Sequence, residues 1–137
     1  MGLLDLFGKK NVADQLSVRF PYTMKTEFVP YKLRSREQSS STLIVSLKNI
    51  TGEPVMASVV VNVPKQLSVD QMGLAKEKEV KLGSMAANEE KQAKIDIYGG
   101  VGTDKGEYTL TVTSFVHYRD YAHILNSMRK RTVLEAV

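Results

Sequence analysis

Two stretches of alternating apolar and polar residues constrain the fold of this chain most strongly. They cover residues 41–64 and 81–119, and Asn, Gly and Pro residues divide each stretch into short runs. Strict alternation places every second side chain on the same face of a β-strand. Each strand then buries one face, and a core closes only when two sheets stack against each other. The sequence therefore predicts an all-β chain that folds as an antiparallel β-sandwich.

The alternation also predicts where the strands run and which side chains they bury. The clear runs cover residues 15–20, 42–48, 55–63, 77–82, 91–98 and 107–119. The predicted inward positions are Leu43, Val45 and Leu47, then Val55, Ala57, Val59, Val61 and Val63, then Ala93, Ile95 and Ile97, and last Leu110, Val112, Ser114, Val116 and Tyr118. A weaker run at 27–33 contains Pro30, which is typical of an edge strand. In the turn at 49–54, we expect the Asn49 side chain to bond the backbone ahead of it.

The C-terminal part of the chain is open to two interpretations. Residues 120–127 could form a hairpin turn that leads into a last strand at 128–137, or 121–136 could form an amphipathic helix. The Thr132–Val133 pair favours the strand, because β-branched residues fit a pleated sheet well. We therefore expect the strand and keep the helix as the alternative.

Length and composition indicate one domain and a reducing compartment. A chain of 137 residues is the size of a single domain. We divide it into an N-terminal amphipathic segment at 1–10 and one β-sandwich domain at 11–137. Cysteine is absent, so neither a disulfide nor a thiolate metal site can form. The apolar run at 3–7 is too short for a signal peptide, so we expect a cytoplasmic protein, with association to a membrane surface left open.

Turn patterns along the chain resemble bacterial and archaeal immunoglobulin-like modules. The matching pieces are VSLKN at 45–49, TGEP at 51–54, VNVP at 61–64, LGS at 82–84, NEE at 88–90 and GEY at 106–108. The nearest modules are the CARDB-like domain and the related module found beside bacterial α-galactosidases. The resemblance covers roughly residues 27–137 and implies an immunoglobulin-like sandwich of about seven to nine strands. It implies a role in protein interaction or as an accessory module, and it carries no catalytic residue.

Candidate catalytic or metal-binding chemistry is sparse. His117, Asp120 and His123 could hold a metal only through a tight turn, because odd spacing along a strand sends side chains to opposite faces. We expect two solvent-facing histidines near a loop instead. The glycine-rich loop at 99–106 lacks the spacing of a phosphate-binding motif, and we expect it to join a β-hairpin. No cofactor, metal or catalytic residue is therefore expected, and we interpret the protein as a non-enzyme.

The N-terminal segment is the first of three candidates for binding a partner. A helical projection places four large apolar side chains on one side, namely Leu3, Leu4, Leu6 and Phe7. Such a segment could dock in the groove of a partner, contact a membrane surface or pack on its own sandwich.

The other two candidates lie in the sandwich itself. One is a set of basic residues formed by Arg129, Lys130 and Arg131, with a second set at Lys32, Arg34 and Arg36. The other is Phe115, which is expected on the strand face opposite the core, as Val60 and Met56 are on their strand. Apolar side chains on that face indicate cover by another segment or by a second copy of the chain.

These observations favour a non-enzymatic protein-interaction module that binds its partner through an exposed sheet face or edge. The alternative is a peripheral membrane or nucleic-acid surface binder that uses the N-terminal segment or the basic residues. Nucleic acid is the weaker choice, because the net charge of +4 is modest and such binding needs many basic residues on one face. The identity of a protein partner is open, and a homodimer is the second choice.

Overall fold

The computed structural model describes residues 22–117 and 124–137, without the side chains of 124–126. Within these ranges the chain forms eight strands and no helix. The strands are β1 (Tyr22–Val29), β2 (Lys32–Leu33), β3 (Ser39–Asn49), β4 (Val55–Asn62), β5 (Glu77–Met85), β6 (Glu90–Gly99), β7 (Gly106–His117) and β8 (Ile124–Ala136). The predicted all-β architecture is confirmed. The strand predicted at 15–20 and the segment at 1–10 lie outside the described residues.

The strands form two sheets that enclose the core. One sheet has three strands in the order β1-β3-β6, and the other has five strands in the order β2-β8-β7-β4-β5. Neighbouring strands are antiparallel, except that β2 runs parallel to β8. Because β6 and β7 belong to different sheets, the predicted hairpin at 99–106 is wrong. Alternation identified both flanking strands, but it carries no information on which strands pair.

The buried faces are the ones that the alternation predicts. Side chains at most 1% exposed include Leu43, Val45, Leu47, Ala57, Val59, Val61, Ala93, Ile95, Ile97, Leu110, Val112 and Val116. Each large apolar side chain buried in this way stabilises the fold by about 1.5–3 kcal/mol. The predicted inward position Tyr118 lies outside the described residues.

The C-terminal residues form a strand, so the helix alternative is wrong. β8 pairs with β7 in continuous register from Gly106↔Ala136 to Val116↔Asn126. Leu134 and Ala136 of β8 are fully buried. Burial on the core face therefore adds to the β-propensity on which the prediction rested.

Some strand bounds differ from those that the alternation predicts. The weak run at 27–33 is divided at Pro30, so that β1 ends at Val29 and Lys32–Leu33 join the other sheet as β2. Between β4 and β5, Ser68 forms an isolated bridge with Tyr98 of β6. Residues 83–85 extend β5 beyond the predicted run at 77–82, past a register shift opposite Ala57 and Ser58.

A buried tyrosine hydroxyl connects β1 to the five-stranded sheet. The Tyr22 hydroxyl donates to the Ser114 carbonyl oxygen at 3.1 Å and accepts from Ser114 Oγ at 2.9 Å. Desolvation by burial raises the pKa of Tyr22, against a smaller lowering by its hydrogen bonds. The contact holds the two sheets together at the start of β1.

Asn49 is the last residue of β3 and organises the turns at that end of the three-stranded sheet. The loops that follow β2 and β6 lie at the other end. The Asn49 side chain is fully buried. The amide nitrogen Nδ2 donates to the carbonyl oxygens of Glu53, Met85 and Ala86 at 2.7, 3.1 and 3.1 Å. The oxygen Oδ1 accepts from Thr51 N–H at 2.9 Å and from Thr51 Oγ1 at 2.7 Å. The predicted bond to the backbone ahead is confirmed, and the same side chain also fastens the β5–β6 turn.

Candidate functional site

Among residues 22–117 and 124–137, no strand pairs with one side of β8 along most of its length. β8 has 13 residues and is covered on one side by β7. On the other side, the only strand that pairs with it within the described ranges is β2, at Glu135 and Ala136. A sheet edge of this kind presents unpaired backbone groups to which another extended chain can add.

The backbone bonds of Val137 show which groups of β8 face the open side. Its N–H donates to the Leu33 carbonyl at 2.9 Å, and its carbonyl accepts from Ser35 N–H at 2.8 Å. Both groups therefore point towards β2. Backbone groups alternate between the two sides of a strand, and the register with β7 is continuous from Asn126 to Ala136. The odd-numbered residues from 127 to 133 thus direct their N–H and C=O groups outward, along what we call the β8 edge.

The predicted basic residues 129–131 lie on this edge but not on one face. Arg129 and Arg131 are exposed and stand opposite Thr113 and Thr111 on the outer face of the sheet. Lys130 is half-buried on the core-facing side, opposite the buried Val112. Side chains alternate along a strand, so a partner strand at the edge would meet positive charge on both of its faces.

The second predicted basic set is engaged with carboxylates. Lys32 Nζ lies 3.4 Å from a Glu135 carboxylate oxygen, Arg34 forms a similar 3.4 Å contact with Glu37, and the Arg36–Asp104 distance is 2.9 Å. Exposed pairs of this kind contribute little stability. They do neutralise the charge of this set, so positive charge along β8 is concentrated at 129–131.

Two rows of residues on the outer face of the five-stranded sheet run from an acidic side chain on β5 to an arginine on β8. Cross-strand register aligns Glu77 and Asn62 with Thr111 and Arg131 in one row. The next row aligns Glu79, Val60, Thr113 and Arg129. In these two rows the β5 position is acidic and the β8 position is basic, with uncharged residues between them, whereas the β5 residue opposite Ser58 is Lys81.

Phe115 lies in the middle of that outer face and is half-buried, as are Met56 and Val60. Its ring centroid is 6.2 Å from that of His117. The structure thus places the predicted residue on the face opposite the core, one row away from Arg129. It does not bring Phe115 to the β8 edge itself.

His117 is not solvent-facing, so that prediction is wrong for this residue. It is 6% exposed, and its Nε2 lies 2.8 Å from Oγ of the fully buried Ser58. The register between β4 and β7 continues to His117, which stands opposite Met56, so the ring lies on the same face as Phe115 and Ser58. Alternation alone could not reveal this pair, because it depends on the register of β4 against β7. Asp120 and His123 lie outside the described residues.

The N-terminal segment, the metal cluster and membrane association remain to be compared with the structure. Leu3, Leu4, Leu6 and Phe7 lie outside the part of the chain that the structure describes. In that part, no group of three or more histidine, aspartate or glutamate side chains is arranged to hold a metal ion. Nor does it contain a helix with the length and apolarity to cross a bilayer.

Comparison with known proteins gives the fold class. The sequence matches no family model and no curated protein. Its structure is similar to part of Escherichia coli alpha-2-macroglobulin, with a TM-score of 0.59 and 14% identity over 85% of this chain, which spans only 7% of that protein. It is also similar to a CARDB domain from Pyrococcus furiosus, solved in complex with di-metal ions, with a TM-score of 0.50, 16% identity and 85% coverage of both chains.

A third similar structure is Bacteroides uniformis beta-glucuronidase 2, with a TM-score of 0.50 and 12% identity over 83% of this chain and 13% of that enzyme. At these identities the likenesses define the fold alone. Together with the eight described strands, they show an immunoglobulin-like β-sandwich. The resemblance that the turn patterns indicated is therefore confirmed at the level of the fold.

Proposed function

We propose that this protein is a non-enzymatic interaction module that binds an extended, acidic segment of a partner protein along the β8 edge. The observation that carries the proposal is the outward direction of the odd-numbered backbone groups from 127 to 133, combined with three basic side chains at the same place. Main-chain hydrogen bonds to an added strand supply affinity, and the side chains set specificity. Residues 127–134 include no acidic residue.

Charge favours a different protein over a second copy of this chain. If two β8 edges paired antiparallel about Lys130, each Lys130 would face its equivalent and each Arg129 would face an Arg131. Like charges directly opposite one another destabilise a strand pair. A half-buried lysine on an edge strand is also a recognised obstacle to self-association. An acidic partner strand would convert the same positions into opposite-charge pairs.

The described surface favours a protein over nucleic acid. Single-stranded nucleic acid is bound by a basic groove with aromatic side chains on which bases stack. Phe115 is the aromatic residue nearest in register to the arginines on the outer face, and it is half-buried rather than presented to solvent. The basic residues are also few for a phosphate-dominated interface.

Reversing the two exposed arginines should weaken binding of an acidic strand. We expect the double variant Arg129→Glu, Arg131→Glu to bind a fluorescent peptide of alternating valine and glutamate, about nine residues long, at least about tenfold more weakly, or about 1.4 kcal/mol. The same interaction should weaken as salt is raised, because exposed charges are screened. Fluorescence anisotropy of the full chain at low and moderate salt measures both effects.

The control variant Lys25→Glu, Lys94→Glu makes the same charge change on the exposed face of the three-stranded sheet and should leave peptide binding nearly unchanged. A valine–lysine peptide should not bind. Equal losses in the two double variants would show a general charge effect and contradict the proposed site. Competition by single-stranded DNA or anionic vesicles that outweighs competition by unlabelled peptide would favour the phosphate-binding alternative.

A further inference from the structure

A polar groove lies at the end of the sandwich where the β2–β3, β4–β5 and β6–β7 loops meet. Its main cavity, about 500 Å³, is lined by residues that include Gln38, Lys65, Gln71 and Tyr98. A second depression of about 380 Å³ adjoins it and shares Gln38, Gln71 and Tyr98. The two therefore form one continuous groove, which we call the end groove, with these three residues where its halves meet. Its size is typical of small-ligand sites.

Side-chain hydrogen bonds between loops hold the groove open. Thr103, which is fully buried, accepts from Gly100 N–H at 3.0 Å and donates to the Gln66 carbonyl at 2.8 Å. It thereby joins the β6–β7 loop to the β4–β5 loop. Arg36 connects the β2–β3 loop to the same place through a backbone bond of 2.7 Å to the Thr103 carbonyl. A site whose walls are already fixed loses less entropy when a ligand binds.

The β6–β7 and β2–β3 loops have particular backbone requirements at Gly100 and Arg36. A Cβ atom at Gly100 would lie 3.0 Å from Gln38 Oε1, so glycine is what lets the Gln38 amide approach the β6–β7 loop. Arg36 has a φ of 59°, in the left-handed region that bulky residues seldom adopt. Its guanidinium also donates to the Asp104 carboxylate at 2.9 Å, an exposed contact between the β2–β3 and β6–β7 loops.

The lining has little charge to offer a ligand. No aspartate or glutamate lines either depression. The Lys76 ammonium is directed at the carbonyl oxygens of Lys65, Leu67 and Gly73, at 3.0, 2.5 and 3.3 Å. These three bonds satisfy its donors, and no arginine lines the groove. Lys65, which also lines the main cavity, is exposed and is the remaining cation there. One lysine with no arginine beside it offers a phosphate few charge-assisted hydrogen bonds, so an uncharged ligand is favoured.

Amide and aromatic side chains select the class of uncharged ligand. Gln38 and Gln71 each present a donor and an acceptor, which suits vicinal hydroxyl groups that also donate and accept. Tyr98 is half-buried, and its backbone bonds with Ser68 at 2.8 and 3.0 Å fix the place in the groove from which its ring extends. Aromatic rings bury the apolar face of a ligand efficiently while leaving its polar rim free to hydrogen-bond. A sugar ring has such an apolar face and a hydroxyl rim.

We propose that the end groove binds a short uncharged saccharide, with Tyr98 as the stacking platform and Gln38 and Gln71 as hydrogen-bonding partners of its hydroxyl groups. This site shares no residue with the β8 edge, and either could exist without the other.

Nuclear magnetic resonance of the full ¹⁵N-labelled chain tests the proposal with maltose, cellobiose and diacetylchitobiose as probes. We expect at least one of them to shift the amide signals of Gln71, Tyr98 and Gly100 and to leave those of Arg129 and Arg131 unchanged. Tyr98→Leu should weaken that binding by about tenfold or more, and Gln71→Ala, on an exposed loop, by about fivefold, since each removes one class of contact.

The matched control is Gln92→Ala, on the outer face of the three-stranded sheet, which should bind the probe like the unmodified chain. Gln71→Ala keeps the test valid if Tyr98→Leu fails to fold. The proposal is overturned if no disaccharide shifts these signals at concentrations on the order of tens of millimolar. It is equally overturned if inorganic phosphate binds there more tightly, or if Gln71→Ala leaves the affinity unchanged.

Discussion

Replacing Asn49 with alanine is expected to lower the free energy of unfolding by about 3 kcal/mol, because it leaves several buried backbone groups without partners. The Asn49 amide serves the carbonyls of Glu53, Met85 and Ala86 and accepts twice from Thr51. Those groups belong to both the β3–β4 and β5–β6 turns, which connect the two sheets. Urea unfolding followed by circular dichroism measures the change.

Two further variants separate this role from a general effect of losing an asparagine. Asn62→Ala removes one exposed hydrogen bond to Glu77 and should cost less than about 0.5 kcal/mol. Asn49→Asp keeps the acceptor for Thr51 but replaces the donor to three carbonyls with a carboxylate oxygen. At neutral pH, Asn49→Asp should lower the free energy of unfolding by at least as much as Asn49→Ala does. An Asn49→Ala protein as stable as the Asn62→Ala protein would show that Asn49 does not hold the turns together.

Proline substitutions at neighbouring positions of β8 should differ sharply in cost. Lys130 directs its N–H towards β7, so Lys130→Pro removes a ladder hydrogen bond and is expected to cost at least about 2 kcal/mol. Arg129 directs its N–H towards the open edge, where proline is tolerated, so Arg129→Pro should cost less than about 1 kcal/mol. Thermal or urea unfolding of both variants gives the comparison.

The alanine variants Arg129→Ala and Lys130→Ala correct this comparison for the loss of each side chain. Arg129→Pro should also abolish binding of the valine–glutamate peptide, since it removes a central outward N–H group. If proline at position 129 lowered the free energy of unfolding more than proline at position 130, the assigned direction of the backbone groups would be reversed. The β8 edge would then be excluded as the binding site.

The sequence was sufficient for the core and insufficient for the arrangement of strands around it. Alternation in residues such as Val59, Ile95 and Val112 predicts burial because side-chain direction along a strand is a local property. Sheet membership is not local. The β6–β7 loop has strands on both sides, yet it crosses between sheets, and only pairing over long sequence separations decides this.

The candidate sites show the same limit. Residues 129–131 stand out in the sequence as a basic run, but separating Lys130 from its two neighbours requires the register with β7. Finding the open edge further requires knowing that, among the described strands, β2 alone pairs on that side, and only at Glu135 and Ala136. The end groove was missed because Gln38, Gln71 and Tyr98 come from separate parts of the chain and form no motif. The burial of His117 was not predicted because it depends on Ser58 of the neighbouring strand β4, which alternation within β7 does not reveal.

Amide hydrogen exchange along β8, measured by nuclear magnetic resonance on the full chain with and without the valine–glutamate peptide, tests the central claim most directly. In the free protein, the amides of Lys130 and Thr132 should exchange slowly, and those of Arg129 and Arg131 should exchange rapidly. The peptide should then slow exchange at Arg129 and Arg131. Slow exchange at these two amides in the free protein would show that the edge is already covered, by the chain's own N-terminal residues or by a second copy. Continued rapid exchange with the peptide bound would place the peptide elsewhere, and either result would contradict strand addition at the β8 edge.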